Sequence, residues 1–305
     1  MKSIYKHIAI LSIATCVLLL SGCYGEKPIQ SEIGKPRYQV DANITEILEL
    51  YNNSGIQMIY DFNGVTAKWN LGSTSTKGIY IPINKEDPDA MATLKANLPY
   101  ILDEFVNLYP KEFQRKYMPL RIFLCDSIRG VRGKNIEEFA YYGIDHIAIN
   151  LYKKGDKVNG PDRRAKTFTD IDAYYDAAFL SLHTTLFEQL SKYKAEWPQA
   201  FLSINEGMYN VNLVKRKDEP DFDPRKYGFW TYDEESMALK FYHSINKDKD
   251  IADFIERFIT KSESENLSDM EGFPLLRQKY DILRAFIKDN FGLDMQEIGN
   301  KRSNQ

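Results

Sequence analysis

Histidine is scarce in this chain: four residues in 305, one of them in the first ten. Cysteine is scarcer, with Cys16, Cys23 and Cys125. Imidazole and thiolate are the usual donors for zinc, so a metal centre here has little to draw on. His146, His183 and His243 fall on different predicted elements, and each reads as an ordinary core-edge or surface histidine. The sequence holds no Gly-rich phosphate loop and no GxSxG elbow. It has no excess of basic charge, with 40 Lys and Arg against 43 Asp and Glu, and so no electrostatic footprint for nucleic acid. No internal repeat and no low-complexity tract appears.

One apolar run is present, at the N-terminus. Lys2 and Lys6 precede Ile8–Leu20, which is short for a bilayer span, and the run ends in Leu20-Ser21-Gly22-Cys23. Small residues directly before a cysteine at the end of such a run form a lipobox. Residues 1–22 are therefore expected to be a cleaved signal and Cys23 the lipid-attachment site. Several acyl chains hold a protein stably at a membrane, so the product is expected to be anchored and not spanning. Cleavage removes two lysines and no acid; 38 basic residues then face 43 acidic ones, a net charge of −5. Cys125 is left without a disulfide partner. It lies in the apolar run Leu120–Cys125 and reads as a buried structural thiol.

Residues 23–43 read as a polar tether with Pro28 and Pro36. A single domain is expected over 44–305, with an α/β part at 44–200 and a helical part at 201–305. A short helix spans 44–51. A strand follows over 55–62 after a glycine, then a loop or hairpin rich in Gly, Ser and Thr over 63–79. Asp87-Pro88 starts a helix that runs to Leu108 and should kink at Pro99. Further strands are expected at 119–125 and 144–150, with a basic turn at 129–134 and a polar loop at 153–170. Helices are expected at 238–245, 251–260 and 275–290, with exposed linkers at 215–227 and 261–271.

The dominant stretch is Asp172–Phe201. Phe179, Leu182, Leu186, Leu190 and Tyr193 recur at helical spacing until Trp197-Pro198 stops the pattern. A zinc-peptidase helix of the HExxH type carries two ligating histidines four residues apart, with a glutamate after the first. This helix reads Phe187-Glu188-Gln189-Leu190-Ser191 in the matching register. A third ligand three residues on would be Lys194. Phe187, Ser191 and Lys194 share one flank, yet a phenyl ring, a hydroxyl and an ammonium do not hold zinc. Starting instead at His183 puts Thr184 and Phe187 where the base and the second ligand belong.

Glu188 alone could serve as a general acid or base, although a solvated helix acid is the commoner case. Asp218, Glu219, Asp221 and Asp223 suggest calcium only superficially; Pro220 and Pro224 break the run, and a mixed-charge surface loop fits better. Trp69, Trp197 and Trp230 fall in or beside predicted loops, where exposed rings could stack on sugars, or could simply build core.

Several segments together resemble a known family. Gly55-Ile56-Gln57-Met58-Ile59-Tyr60, Thr185–Phe201, Phe201–Tyr209, Gly228-Phe229 with Tyr232, and Phe291-Gly292-Leu293-Asp294-Met295 are similar, in order and spacing, to blocks of the zinc-binding metallopeptidase lipoproteins of Bacteroidetes. Those proteins accompany outer-membrane import systems. The resemblance implies an α+β, zincin-like fold: a small N-terminal sheet with helices, a central former active-site helix and a helical C-terminal part. It also makes Phe187, Ser191 and Lys194 the degenerate metal-ligand positions and Glu188 the vestigial general-base position. The acidic run that the family carries near Glu235 is largely missing.

The expectation is therefore an outer-membrane lipoprotein, without zinc and without catalysis. It would serve as a binding or accessory component of a nutrient-import complex, with a peptide, a glycan or a partner protein as its ligand. Two alternatives stand beside it: a hydrolase with a non-standard or metal-free site, and a glycan-binding lipoprotein. The sequence does not indicate which membrane face the protein occupies.

Overall fold

The computed structural model describes residues 38–63, 67, 79–129, 137–159, 165–193, 196–210, 223–230 and 245–303. Cys23, Trp69, Lys194, Asp218, Glu219, Asp221, Glu235, His243 and, except for Ile245, the expected helix at 238–245 lie outside them. Tyr38–Gln305 forms one compact unit. The unit starts earlier than the tether expectation allowed: Tyr38 packs edge-on against Phe123, and Tyr60 donates its hydroxyl hydrogen to Asp41.

Helices and strands alternate in the first half. Helix α1 (Thr45–Ser54) buries Ile47 and Leu50 and ends on Gly55, whose φ of 77° lets its N–H reach back to Tyr51. Strand β1 (Gln57–Ile59) is shorter than the expected 55–62. β2 (Ile79–Pro82) follows, then α2 (Pro88–Ile101), whose Asp87 cap accepts from Asp89 and Ala90. Pro99 offers no N–H to the ladder, and the chain passes after Ile101 into a π-turn, Leu102–Val106. The single expected helix is thus two kinds of helix. Helix α3 (Lys111–Tyr117), not foreseen, leads into the long β3 (Arg121–Arg129). β4 (Ala140–Tyr142), also not foreseen, forms a hairpin with β5 (His146–Asn150). The expected polar loop at 153–170 contains a small hairpin, β6 (Lys157–Asn159) and β7 (Ala165–Thr167).

β3 is the centre of the sheet. It pairs in parallel with β1 and with β5, Arg121 lying opposite both Gln57 and His146. β2 runs antiparallel along its far half, and β4 forms the edge beyond β5. Alternation along β3 and β5 sorts their side chains between two cores. Ile122, Leu124, Ile147 and Ile149 join the larger core. Phe123, Cys125 and Ala148 join a smaller one on the other face, so Cys125 is buried, as its apolar run indicates.

The second half is helical: α4 (Ile171–Tyr193), α5 (Gln199–Ser203), α6 (Lys247–Thr260), α7 (Glu263–Asp269), α8 (Pro274–Phe291) and α9 (Gln296–Ser303). The expected linker at 261–271 is corrected to helix α7. Ser262 caps it, and Glu265 answers in a reciprocal capping box. The expected linker at 215–227 ends in a 3-10 turn, Pro224–Tyr227, capped by Asp223. That cap, with Arg225 on the same carboxylate, is the observed role of Asp223. The mixed α+β architecture matches the expectation.

One polar cluster holds the helical part together. Lys279 of α8 is fully buried. It donates to both oxygens of Asp250 on α6, to Asn205 Oδ1 and to the Gly228 carbonyl. Tyr209 donates to Asp250. Replacing Lys279 with Met fills the volume but leaves Asp250 without its cation. The expected loss is about 3 kcal/mol, because breaking one side of a buried pair strands the other. Urea denaturation against wild-type protein in which Lys279 is the free ammonium checks it, and the double variant Lys279→Met, Asp250→Leu should recover most of the loss.

Candidate functional site

Helix α4 is pinned to the sheet at both ends. Near its start, Tyr174 donates to the Asn150 carbonyl at the end of β5, 2.8 Å away. Near its other end, the Gln189 amide donates to the carbonyl of Gly143 (2.7 Å) in the β4–β5 turn and to that of His146 (3.1 Å) at the start of β5. The helix therefore runs antiparallel to β5. Phe179, Leu182, Leu186 and Leu190 are buried along it, as the spacing predicts. The regular helix ends at Tyr193, and α5 begins after Pro198.

His183 sits in the packed core with no exposed surface. Its Nε2–H donates to the Glu104 carbonyl in the π-turn, 3.0 Å away. Its Nδ1 accepts from the Tyr109 hydroxyl at 2.5 Å. Both ring nitrogens are thus engaged by the protein. Burial among Phe105, Tyr109 and Phe179, reinforced by the Arg302 guanidinium, pulls its pKa down to about 3, against a raising effect from the Glu104 carbonyl. The imidazole is neutral at ordinary pH and has no lone pair left for an ion.

Phe187, one turn on, is 2% exposed. Its ring lies 6.5 Å from Tyr109 and 6.4 Å from Phe113, which stack on each other at 4.8 Å. The aromatic series continues through Phe291 and Phe286 to Trp197. Trp197 returns to the helix, its indole Nε1–H donating to Ser191 Oγ at 2.5 Å. Two of the three positions singled out on this flank are therefore absorbed by aromatic packing. Phe187 packs tilted against the stacked pair Tyr109 and Phe113, and Ser191 receives the indole at the far end of the series. Glu188, on the neighbouring face, is exposed.

Three described positions on α4 are poor zinc donors. Phe187 has no lone pair, the His183 nitrogens are both occupied, and Ser191 already accepts a hydrogen bond. His146, on β5, is buried on the opposite side of the sheet. It packs edge-on to Phe123, with Tyr80 and Asp145 at 3.2 Å from its two nitrogens. Among the described residues no group of three His, Cys, Asp or Glu could hold a metal ion.

The two described tryptophans are half-buried and engaged. Trp197 is tilted against Phe286 at 5.9 Å. Trp230 meets Phe254 edge-on and carries the Arg257 guanidinium 4.2 Å above its ring. An open depression of about 490 Å³ lies between Asn107–Pro110 and the segment from Gly292 to Lys301. Lys288 and Lys301 line it together with Asp294 and Glu297. Among the described residues, no helix is long and apolar enough to cross a membrane.

Sequence reasoning missed Gln189 and Tyr109. Gln189 follows Glu188 directly, and nothing in its spacing separates a sheet anchor from a surface amide. Tyr109-Pro110 read only as a helix end.

The model of a family described as putative zinc-binding metallo-peptidases matches residues 47–296. No curated protein matches the chain. A solved structure titled a putative zinc-binding metallo-peptidase from Bacteroides caccae ATCC 43185 aligns at 17% identity and a TM-score of 0.47, covering 88% of this chain and 97% of that one.

Proposed function

We propose that this chain, which belongs to the putative zinc-binding metallo-peptidase family, is a non-hydrolytic member that keeps the family scaffold as a binding module. In this reading it is a lipoprotein attached through Cys23 to the outer membrane. There it serves as an accessory part of an import complex, with a peptide, a glycan or another subunit as its ligand. A sheet edge can take up an extended peptide without any metal, by main-chain hydrogen bonding. The observation that carries the proposal is the fate of the ligand positions: Phe187 is packed in the core, and Ser191 is bonded to Trp197. Restoring a metal there would require removing a core ring as well as adding donors.

Elemental analysis of the purified full-length protein, coupled to a peptide-library assay, is the test. The expected result is zinc far below one atom per chain and no chelator-sensitive cleavage. Near-stoichiometric zinc, or cleavage abolished by Glu188→Gln, would overturn the proposal and restore the hydrolase reading.

A further inference from the structure

We propose that Lys279 and Asn205 become joined by an amide bond between their side chains, with Asp250 as the proton carrier. The three groups meet in the helical part, away from α4. Lys279 and Asn205 have no exposed surface, and Asp250 is 1% exposed. Lys279 Nζ lies 2.6 Å from Asn205 Oδ1 and 2.7 and 2.6 Å from the two Asp250 oxygens. The orientation of the carboxamide follows from its partners. An ammonium cannot accept, so the oxygen faces Lys279; Nδ2 donates to the Tyr227 carbonyl on the other side. The nucleophile, the acyl carbon behind Oδ1 and a carboxylate are thus held in one dry pocket, which is how enclosure raises effective concentration.

The surroundings hold the three groups together and away from water, although the ring faces and the Gly228 carbonyl also steady the ammonium. The rings of Phe201, Phe229 and Phe254 lie 4.4, 5.0 and 5.2 Å from Nζ. They keep out the water that would solvate an ammonium. Burial lowers the Lys279 pKa to about 8 and raises that of Asp250, and both shifts narrow the gap that a proton passing between them must cross. The neutral amine then attacks Asn205 Cγ, the Cγ–Nδ2 bond breaks, and ammonia leaves. The protons balance: of the three on the ammonium, one stays on the new amide nitrogen, one departs with ammonia and one rests on Asp250. No oxidant or co-reactant is needed. Tyr209, 2.6 Å from Asp250, fixes the carboxyl group in place. The bond would close a loop between residues 74 apart. Cys125, the free cysteine among the described residues, is buried in the other part of the molecule and cannot supply such a link.

The test is the intact mass of the purified full-length protein after incubation at mildly alkaline pH, followed by tryptic mapping. The expected mass is one ammonia below that of the processed sequence, with a branched peptide carrying Asn205 and Lys279 and no cleavage after Lys279. Asn205→Ala and Asp250→Ala should each return the unreacted mass. A wild-type mass equal to the sequence, with normal cleavage after Lys279, would overturn the proposal and leave a buried ion pair. Loss of ammonia with normal cleavage would mean ring closure at Asn205 alone and would overturn it equally. Loss of one water would place the bond at Asp250 and overturn the choice of acceptor. Because the wild-type chain gives the primary readout, a variant that misfolds does not decide the outcome.

Discussion

Phe187→Ala is expected to lower the unfolding free energy by about 3–5 kcal/mol, the range for truncating a buried aromatic. The neighbouring Glu188→Gln, at an exposed position and isosteric with the wild type, should change it by much less. The contrast separates two descriptions of this helix. If Phe187 occupied a working metal site, its removal would leave folding little changed. Instead its ring contacts Tyr109 and Phe113 from two elements, the segment after the π-turn and helix α3. Alanine would leave a void between them that a stacked pair at 4.8 Å cannot close without moving the backbone. Phe187→Leu keeps most of the volume and should lose less than half as much. Denaturant titration of the three variants measures the series. Near-equal stability of Phe187→Ala and wild type would mean that the ring does not hold the helix.

The central helix, the strands over 119–125 and 144–150, and the α+β order were legible because each is written as a local period. Leu182, Leu186 and Leu190 repeat at helical spacing, and Ile147 and Ile149 alternate with His146 and Ala148. The elements missed were those whose signal is not periodic. Strand β4 has three residues, too few to alternate recognisably, and exists because β5 supplies its partner. Helix α7 carries Glu263-Ser264-Glu265 and Ser268-Asp269, a polar surface that reads as linker. Its signal was the Ser262 and Glu265 capping pair, not apolar spacing. In the candidate site, sequence could say that Phe187 and Ser191 are not zinc donors. It could not say what they do instead, because Tyr109 and Phe113 reach Phe187 from a distant segment and Trp197 returns to Ser191 only once the chain turns beyond the helix. The same limit hid the Lys279 cluster: a lysine in an amphipathic helix gives no sign that Asn205 and Asp250 will close over it.

The pH dependence of stability is expected to carry the mark of His183. An unfolded histidine titrates near 6.5, whereas the buried ring is held at about 3. Between those values the unfolded chain binds a proton that the folded chain refuses. The contribution is therefore complete above about pH 6.5, falls as pH drops, and is lost at about pH 3. Its full size is about 5 kcal/mol, taken from the separation of the two pKa values. The groups around the ring cannot offset this. The Tyr109 hydroxyl is buried and held neutral, the Glu104 contact is a main-chain carbonyl, and the Arg302 guanidinium repels a second cation. Asp176 and the Glu104 side chain pair with Arg302 and not with the imidazole. Carboxylates elsewhere also weaken the fold in acid, so the informative quantity is a difference. His183→Phe retains a ring of similar breadth but has nothing to protonate. It loses the hydrogen bonds to Tyr109 and Glu104, and it should start below wild type at pH 7. From pH 7 to pH 4 the wild type should lose about 3 kcal/mol more than the variant, the part of the span crossed above pH 4. Parallel stability curves for the two proteins would show that His183 takes up a proton in the folded state, and that its nitrogens are not held as the structure has them.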